Sequence, residues 1–245
     1  MAGESSDPGP LIAREMEGGR LLFHPDRVSE PGVRIFDPGF WRSEDRIVGT
    51  HRGRGTVYVV EAGDDEEWVL RHLRRGGLPG SFIRDRYLWT GWERSRPFRE
   101  LRLLARLEGE GLPVPGPVAG AVWRRGPAYR GDILTLRVPG RPLARLLEEG
   151  VAQPGDWHRI GATLLRFHRA GVDHADLSAG NILVHETRIH LIDFDRGRIR
   201  SPGNWADRNL DRIRRSAAKI LGRERWKAAE WARCWEALLE GYEAG

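Results

Sequence analysis

Apolar positions come in short β-like runs over the first half of the chain and at helical spacing over much of the second. Ile47-Val48-Gly49, Thr56-Val57-Tyr58-Val59-Val60 and Trp68-Val69-Leu70-Arg71-His72-Leu73 are rich in β-branched and aromatic residues. Gly53-Arg54-Gly55 separates the first two runs and the polar Asp64-Asp65-Glu66-Glu67 the last two, which predicts an antiparallel three-stranded meander. From Phe98 to Leu107 the apolar residues fall at 98, 101, 104, 105 and 107, so a helix is expected, with Pro97 in its first turn. Gly109, Gly111 and Pro113 end it, and the proline-rich residues 112–117 read as an ordered turn or crossing segment. Ile133–Val138 predicts a strand, Pro139-Gly140 a hinge, and residues 141–149 a short helix. Asp156 is expected to cap a helix over 157–168 whose apolar face is Ile160, Leu164 and Phe167, and Gly171 ends it. Ile182-Leu183-Val184 and Ile189-His190-Leu191-Ile192 flank the turn-like residues 185–188, a hairpin pattern. Further helices are expected over about 204–221 and 224–241.

These elements arrange into a small sheet with one helix over residues 31–138 and a mainly helical second lobe over 139–245, an α+β two-lobed plan. Residues 1–30 mix Gly, Pro and charge, and read as a loosely ordered lead-in. At 245 residues, 40% hydrophobic and 31% charged, the chain has the composition of a globular protein with a real core. No run approaches the roughly 18 apolar residues needed to span a bilayer, and Met1–Pro10 lacks the apolar centre of a secretory signal. Cys234 is the one cysteine, which rules out an intrachain disulfide and a cysteine zinc cluster and suits a reducing cytoplasm. The formal charge of +5 is carried almost wholly by arginine, the only lysines being Lys219 and Lys227. No nucleic-acid-binding module accompanies that charge. Ten tryptophans, several among arginines, are compatible with an anionic membrane surface and equally with ordinary cores.

Candidate chemistry centres on His174-Ala175-Asp176-Leu177-Ser178-Ala179-Gly180-Asn181, followed by Leu191-Ile192-Asp193-Phe194-Asp195. H-x-D-x-x-x-x-N, an intervening hairpin and then D-F is the pattern of a kinase-like phosphotransferase core. The hairpin would carry Asn181 and Asp193 back toward each other, so that two oxygen ligands for Mg²⁺ converge beside Asp176. Asp176 is the candidate base that orients an acceptor hydroxyl, and His174 is expected to support the loop. Gly53 and Gly55 would admit nucleotide phosphates to backbone N–H groups, although such a pair is also an ordinary hairpin turn. The third strand of a kinase carries a phosphate-binding lysine, and here Arg71 occupies that slot with Glu100 as its expected partner; Arg74 and Arg75 are nearby competitors. Only 50 residues follow Asp195, too few for a protein kinase's activation segment and later helices, which favours a small hydroxyl acceptor over a peptide.

The chain resembles the 3-deoxy-D-manno-octulosonic acid (Kdo) kinases, atypical members of the protein-kinase-like fold. The resemblance runs over roughly 47–220 and is carried by Gly53-Arg54-Gly55-Thr56, Leu70-Arg71-His72, Arg74-Arg75-Gly76-Gly77-Leu78 and Arg84-Asp85-Arg86-Tyr87-Leu88. Thr90-Gly91, Glu93-Arg94, Phe98-Arg99-Glu100, Gly111-Leu112-Pro113-Val114-Pro115 and the two catalytic segments match as well, as do Trp205, Asn209-Leu210 and Arg215-Ser216. It implies ATP- and Mg²⁺-dependent phosphorylation of a Kdo hydroxyl, at carbon 4, on a lipid A precursor at the cytoplasmic face of the inner membrane. Asp176 would carry the family's active-site role, and no obligate protein partner is implied. Thr135-Leu136-Arg137 departs from the expected pattern in having leucine where an acidic residue is expected. Arg84, Arg86, Arg94 and Arg96 are candidates for contacting sugar carboxylate or lipid phosphate, or else form a solvated basic face. The alternatives are a heptose- or aminoglycoside-type kinase, which the 74–91 segment fits poorly, and a pseudokinase, which the presence of Asp176, Asn181 and Asp193 disfavours.

Overall fold

Sequence neighbours do not all become sheet neighbours in the first half of the chain. The structure is a computed structural model that describes residues 11–52, 56–63, 65–73, 87–226 and 229–244. It divides into two compact units, Met1–Gly111 with Pro115–Arg137, and Leu112–Val114 with Val138–Gly245.

The first unit is built on an antiparallel sheet of β1 (Ile12–Met16), β2 (Gly19–Phe23), β3 (Ile47–Arg52), β4 (Thr56–Gly63), β5 (Glu66–His72), β6 (Tyr87–Leu88), β7 (Pro117–Arg125) and β8 (Ala128–Leu136). The order is β1-β2-β7-β8-β5-β4-β3, with β6 pairing the start of β8. The predicted meander is β3-β4-β5. The expected strand at 133–138 is the end of a longer β8, and the lead-in expected to be loose supplies β1 and β2, whose Leu21, Leu22 and Phe23 are buried.

α1 (Pro38–Ser43) and the preceding turn of 3-10 helix bring Ile35, Phe36 and Trp41 onto one face of the sheet, against Leu70, Leu134 and Val60. α2 (Arg96–Gly109) covers the other face with Phe98 and Leu101, set against Leu22, Val122 and Ile133. Side chains buried this fully contribute about 1.5–3 kcal/mol each. Two strand glycines let α2 approach: a Cβ on Gly131 would lie 2.5 Å from Pro97 Cγ, and one on Gly120 2.7 Å from Leu101 Cδ1.

The second unit is mostly helical: α3 (Leu143–Glu149), α4 (Pro154–Arg169), α5 (Trp205–Trp226) and α6 (Ala229–Glu243). Asp156 is not the cap of α4. Gln153 holds that position, and Asp156 sits at the third helical residue, where its Oδ2 accepts the Gln153 N–H at 2.9 Å. α5 breaks at Gly222, whose φ of 72° admits the turn between the two expected helices.

α4 and α6 meet backbone to backbone through reciprocal glycines. A Cβ on Gly161 would lie 1.9 Å from the Leu238 carbonyl oxygen, and one on Gly241 2.0 Å from that of His158. Small strands complete the unit. β9 (Arg141–Pro142) pairs β11 (Ile182–His185), β11 pairs β12 (Arg188–Leu191), and β10 (Val172–Asp173) pairs β13 (Arg198–Ile199).

Candidate active site

In the first unit, alternation along β5 decides where the cation points. Trp68 and Leu70 turn into the core on the α1 face, so Arg71 turns the other way, toward α2. Glu100 lies on the buried stripe of α2 between Pro97 and Leu104, and its side chain is 1% exposed. The two form a direct ion pair. The buried Glu100 carboxyl group is thus paired with a cation that is itself 20% exposed. A second pair, unanticipated from sequence, joins the cross-strand neighbours His72 and Asp132 at the same end of the sheet. Gly53, Gly55, Arg74, Arg75, Arg84 and Arg86 lie outside the described residues. Arg94 is exposed, whereas the Arg96 guanidinium turns onto Tyr87, hydrogen-bonding its hydroxyl and lying 4.6 Å from the ring centre.

In the second unit the loop after β10 is fixed by hydrogen bonds at each step. Asp173 is buried, which pushes its carboxyl up, but hydrogen bonds from Arg200 and Arg198 (3.2 Å each) outweigh burial and hold it below the usual carboxylate range. Its other oxygen accepts the Ala175 N–H at 3.1 Å. Ala175 takes a left-handed φ of 57°, which reverses the chain and brings the Asp176 N–H to the His174 carbonyl at 2.7 Å.

His174 is 2% exposed. Burial lowers its pKa, and the neutral ring donates from Nε2 to the Ile192 carbonyl at 2.9 Å. Because Ile192 precedes Asp193, His174 ties the loop carrying Asp176 to the end of the hairpin carrying Asp193. That is the supporting position expected of it.

The hairpin itself has the predicted form. Ile182 pairs Leu191 and His185 pairs Arg188 around a two-residue turn, with Glu186 at φ 50°. The Ile192 N–H then donates to the Asn181 carbonyl at 3.0 Å, so residues 181 and 193 leave the hairpin at the same end. The Asn181 side-chain amide donates to the Asp176 carbonyl at 3.1 Å, which turns its Oδ1 away from that carbonyl. Asp193 has a left-handed φ of 66°, a conformation aspartate tolerates better than most side chains. Asn181 Oδ1 and the Asp193 carboxylate are hard oxygen donors, the kind a divalent Mg²⁺-like cation takes.

Arg212 was missing from the sequence reading. Its Nη2 donates to Asp176 Oδ1 at 2.9 Å, and the second carboxylate oxygen accepts nothing among the described residues. Asp176 remains 47% exposed, so that oxygen is open to an acceptor. Arg212 is one of a set at helical spacing on α5. Asn209 contacts Asp173 at 3.5 Å, and Ser216 Oγ accepts the Ala179 N–H at 3.1 Å. The 209–212–216 spacing on a predicted helix was the available signal.

A profile of the "Lipopolysaccharide kinase (Kdo/WaaP) family" matches residues 39–242. A 3-deoxy-D-manno-octulosonic acid kinase of Stenotrophomonas maltophilia (strain K279a) is 45% identical over 215 residues, covering 85% of this chain and 84% of that protein. The namesake enzyme of Vibrio parahaemolyticus serotype O3:K6 (strain RIMD 2210633) is 37% identical over 222 residues, covering 89% and 93%. Among solved structures, "Amicoumacin kinase hAmiN in complex with AMP-PNP, Ca2+ and Ami" matches with a TM-score of 0.60 at 14% identity, covering 82% of this chain and 72% of that one. "WaaP in complex with acyl carrier protein" matches at 0.52 and 19%, covering 88% and 87%. At those identities the two structures speak to fold, which is the protein-kinase-like one expected.

Proposed function

Because this chain belongs to the lipopolysaccharide kinase (Kdo/WaaP) family, and is a Kdo kinase acting on a hydroxyl in lipopolysaccharide biosynthesis, we propose that it phosphorylates carbon 4 of a Kdo residue on a lipid A precursor with ATP. The observation that carries the mechanism is the Asp176 carboxylate, fixed at one oxygen by Arg212 and open at the other. The open oxygen accepts a hydrogen bond from the sugar hydroxyl, which aims the hydroxyl lone pair at the γ-phosphorus. It takes the proton as the new P–O bond forms and the bond from the γ-phosphorus to the β–γ bridging oxygen breaks, ADP leaving with that oxygen. Arg212 keeps that carboxylate in one orientation and balances its charge until the proton arrives.

Asn181 and Asp193 would hold Mg²⁺, which when bound neutralises phosphate charge. His174 keeps the loop and the hairpin end in register. In the first unit Arg71, steadied by Glu100, would supply the cation for nucleotide phosphates, with Gly53 and Gly55 offering backbone N–H groups. No helix among the described residues is long and apolar enough to cross a membrane. A lipid-borne acceptor would place the reaction at a bilayer surface, here the cytoplasmic face of the inner membrane.

The test is transfer of label from γ-labelled ATP to a Kdo-bearing lipid A precursor, followed by locating the phosphate on the sugar by NMR. Label at carbon 4 that requires Asp176 is the expected result. Label at another hydroxyl would correct the position. Label only on other sugars would replace the acceptor.

A further inference from the structure

Several exposed arginines among the described residues sit against a carboxylate. Arg34 pairs with Glu30, Arg102 with Glu93, Arg137 with Glu67 and Arg141 with Glu149. The tip of the β7–β8 hairpin is different. Arg124, Arg125 and Arg130 are all exposed there, and no carboxylate among the described residues pairs with any of them. They surround an open depression of ≈ 430 Å³ whose lining includes Trp123 and Tyr129 and no acidic side chain. Arg124 lies over the Trp89 ring at 5.1 Å and Arg130 over Trp123 at 4.8 Å, so the guanidiniums are held on aromatic faces. The nearby acids are few: Glu17, exposed in the adjoining β1–β2 turn, and Glu15, paired with Arg20.

A second, independent feature falls at the same place. Leu88 is 69% exposed, more than any other large hydrophobic side chain described as exposed. β6 pairs Leu88 with Ala128, and the Trp89 N–H donates to the Pro127 carbonyl at 2.9 Å, so both residues are strapped beside the arginine tip. Trp89 stacks edge-on against Trp92 at 4.5 Å, and Arg20 lies over Trp92 at 5.1 Å.

A soluble anion explains the arginines alone. An exposed leucine and half-buried tryptophans beside unpaired guanidiniums are what the interfacial zone of a bilayer takes: cations at the headgroups, apolar and amphipathic side chains just below. We propose that the β7–β8 tip, with β6 beside it, is the face that docks this protein onto an anionic lipid surface. Its purpose rests on the lipid-acceptor reading above, but its binding is independent of turnover.

Flotation with vesicles of phosphatidylcholine, with and without phosphatidylglycerol, tests it. Each arginine near an anionic surface is expected to contribute about fivefold in partitioning, so Arg124→Glu/Arg125→Glu/Arg130→Glu should lose on the order of a hundredfold or more. Leu88→Ser should lose several-fold, and that loss should persist in high salt while the arginine contribution fades. Arg141→Glu/Arg145→Glu, a similar charge reversal in the second unit, should retain most binding. Unchanged melting curves would show that the exposed substitutions leave the fold intact.

Binding that ignores phosphatidylglycerol, or survives the triple reversal, would overturn the proposal. Equal affinity for monomeric short-chain phosphatidylglycerol would also overturn it, by reducing the tip to a headgroup-sized anion site. Failure of wild type to float, with binding instead to an acidic protein, would assign the tip to a protein partner. None of these outcomes depends on phosphate transfer, so the kinase reading stands or falls separately.

Discussion

Each unit carries an arginine–carboxylate pair among its proposed site residues, and the two are built oppositely. In Arg71–Glu100 the carboxylate is 1% exposed and the cation 20%; in Arg212–Asp176 the values are 47% and 35%. A carboxylate buried that deeply gains much from a direct cation, because taking a charge out of water is costly. A carboxylate half in water does not, so its arginine contributes direction more than stability. The first pair holds a fold feature in place and presents a cation. The second leaves a carboxylate oxygen free and steers it.

The largest effect should come from emptying the exposed pair of its acid. Asp176→Ala is expected to cut turnover about 10²–10⁴-fold while the melting temperature hardly moves, which kinetics and thermal unfolding read separately. Next, Glu100→Ala should cost about 3–5 kcal/mol of stability by removing one member of a buried ion pair, with the loss visible in denaturant midpoints. Equal stability losses for Asp176→Ala and Glu100→Ala would erase the distinction.

Acid offers a third probe. His168 on α4 bonds the Tyr242 hydroxyl at 2.7 Å, and burial pushes its pKa down to about 4 despite the opposing charges of Asp173 and Asp207. The ring is neutral when folded but takes a proton near 6.5 when unfolded, so its contribution is complete above pH 6.5 and disappears as pH falls toward 4. That amounts to about 2 kcal/mol once partial solvent exposure is allowed for, and His168→Gln should flatten the stability–pH curve across that window. The smallest effect is expected of Arg212→Ala: about tenfold in kcat, with KM for nucleotide unchanged, stability altered by less than about 1 kcal/mol, and part of the rate restored by Arg212→Lys. A KM effect as large as the kcat effect would make Arg212 a binding residue rather than a positioning one.

The geometry of the candidate catalytic segment was legible because it is written at short range. Asp176, Asn181 and Asp193 are separated by one loop and one hairpin, so apolar runs and spacing sufficed to bring 181 and 193 to the same hairpin end. Arg71–Glu100 was readable for a related reason, a strand followed by a helix with one acid on the helix's inner stripe.

What escaped depended on long-range approach. β7 opens on proline, and Ala119, Gly120 and Ala121 are poor strand formers, Gly120 being required by the close approach of α2 rather than by intrinsic preference. β1 and β2 sit in a glycine-rich, charged stretch whose apolar Leu21, Leu22 and Phe23 find their core only by pairing with β7, far away in sequence. Arg212 was hidden among arginines on α5, since composition could not say which one faced the loop. The tryptophans divide between roles: Trp205 is buried at 3% exposure, while Trp89 stays half-buried under an arginine.

The reciprocal glycines of α4 and α6 also order events in time. Gly161 and Gly241 leave room for a neighbouring backbone and nothing else, and Trp157 of α4 meets Trp231 of α6 edge-on, so this side of α4 lacks its cover until α6 arrives. During synthesis the loop bearing Asp176 and the hairpin that follows emerge well before α6 does. The ribosome thus delivers the proposed catalytic residues while Trp157 still lacks its partner on α6.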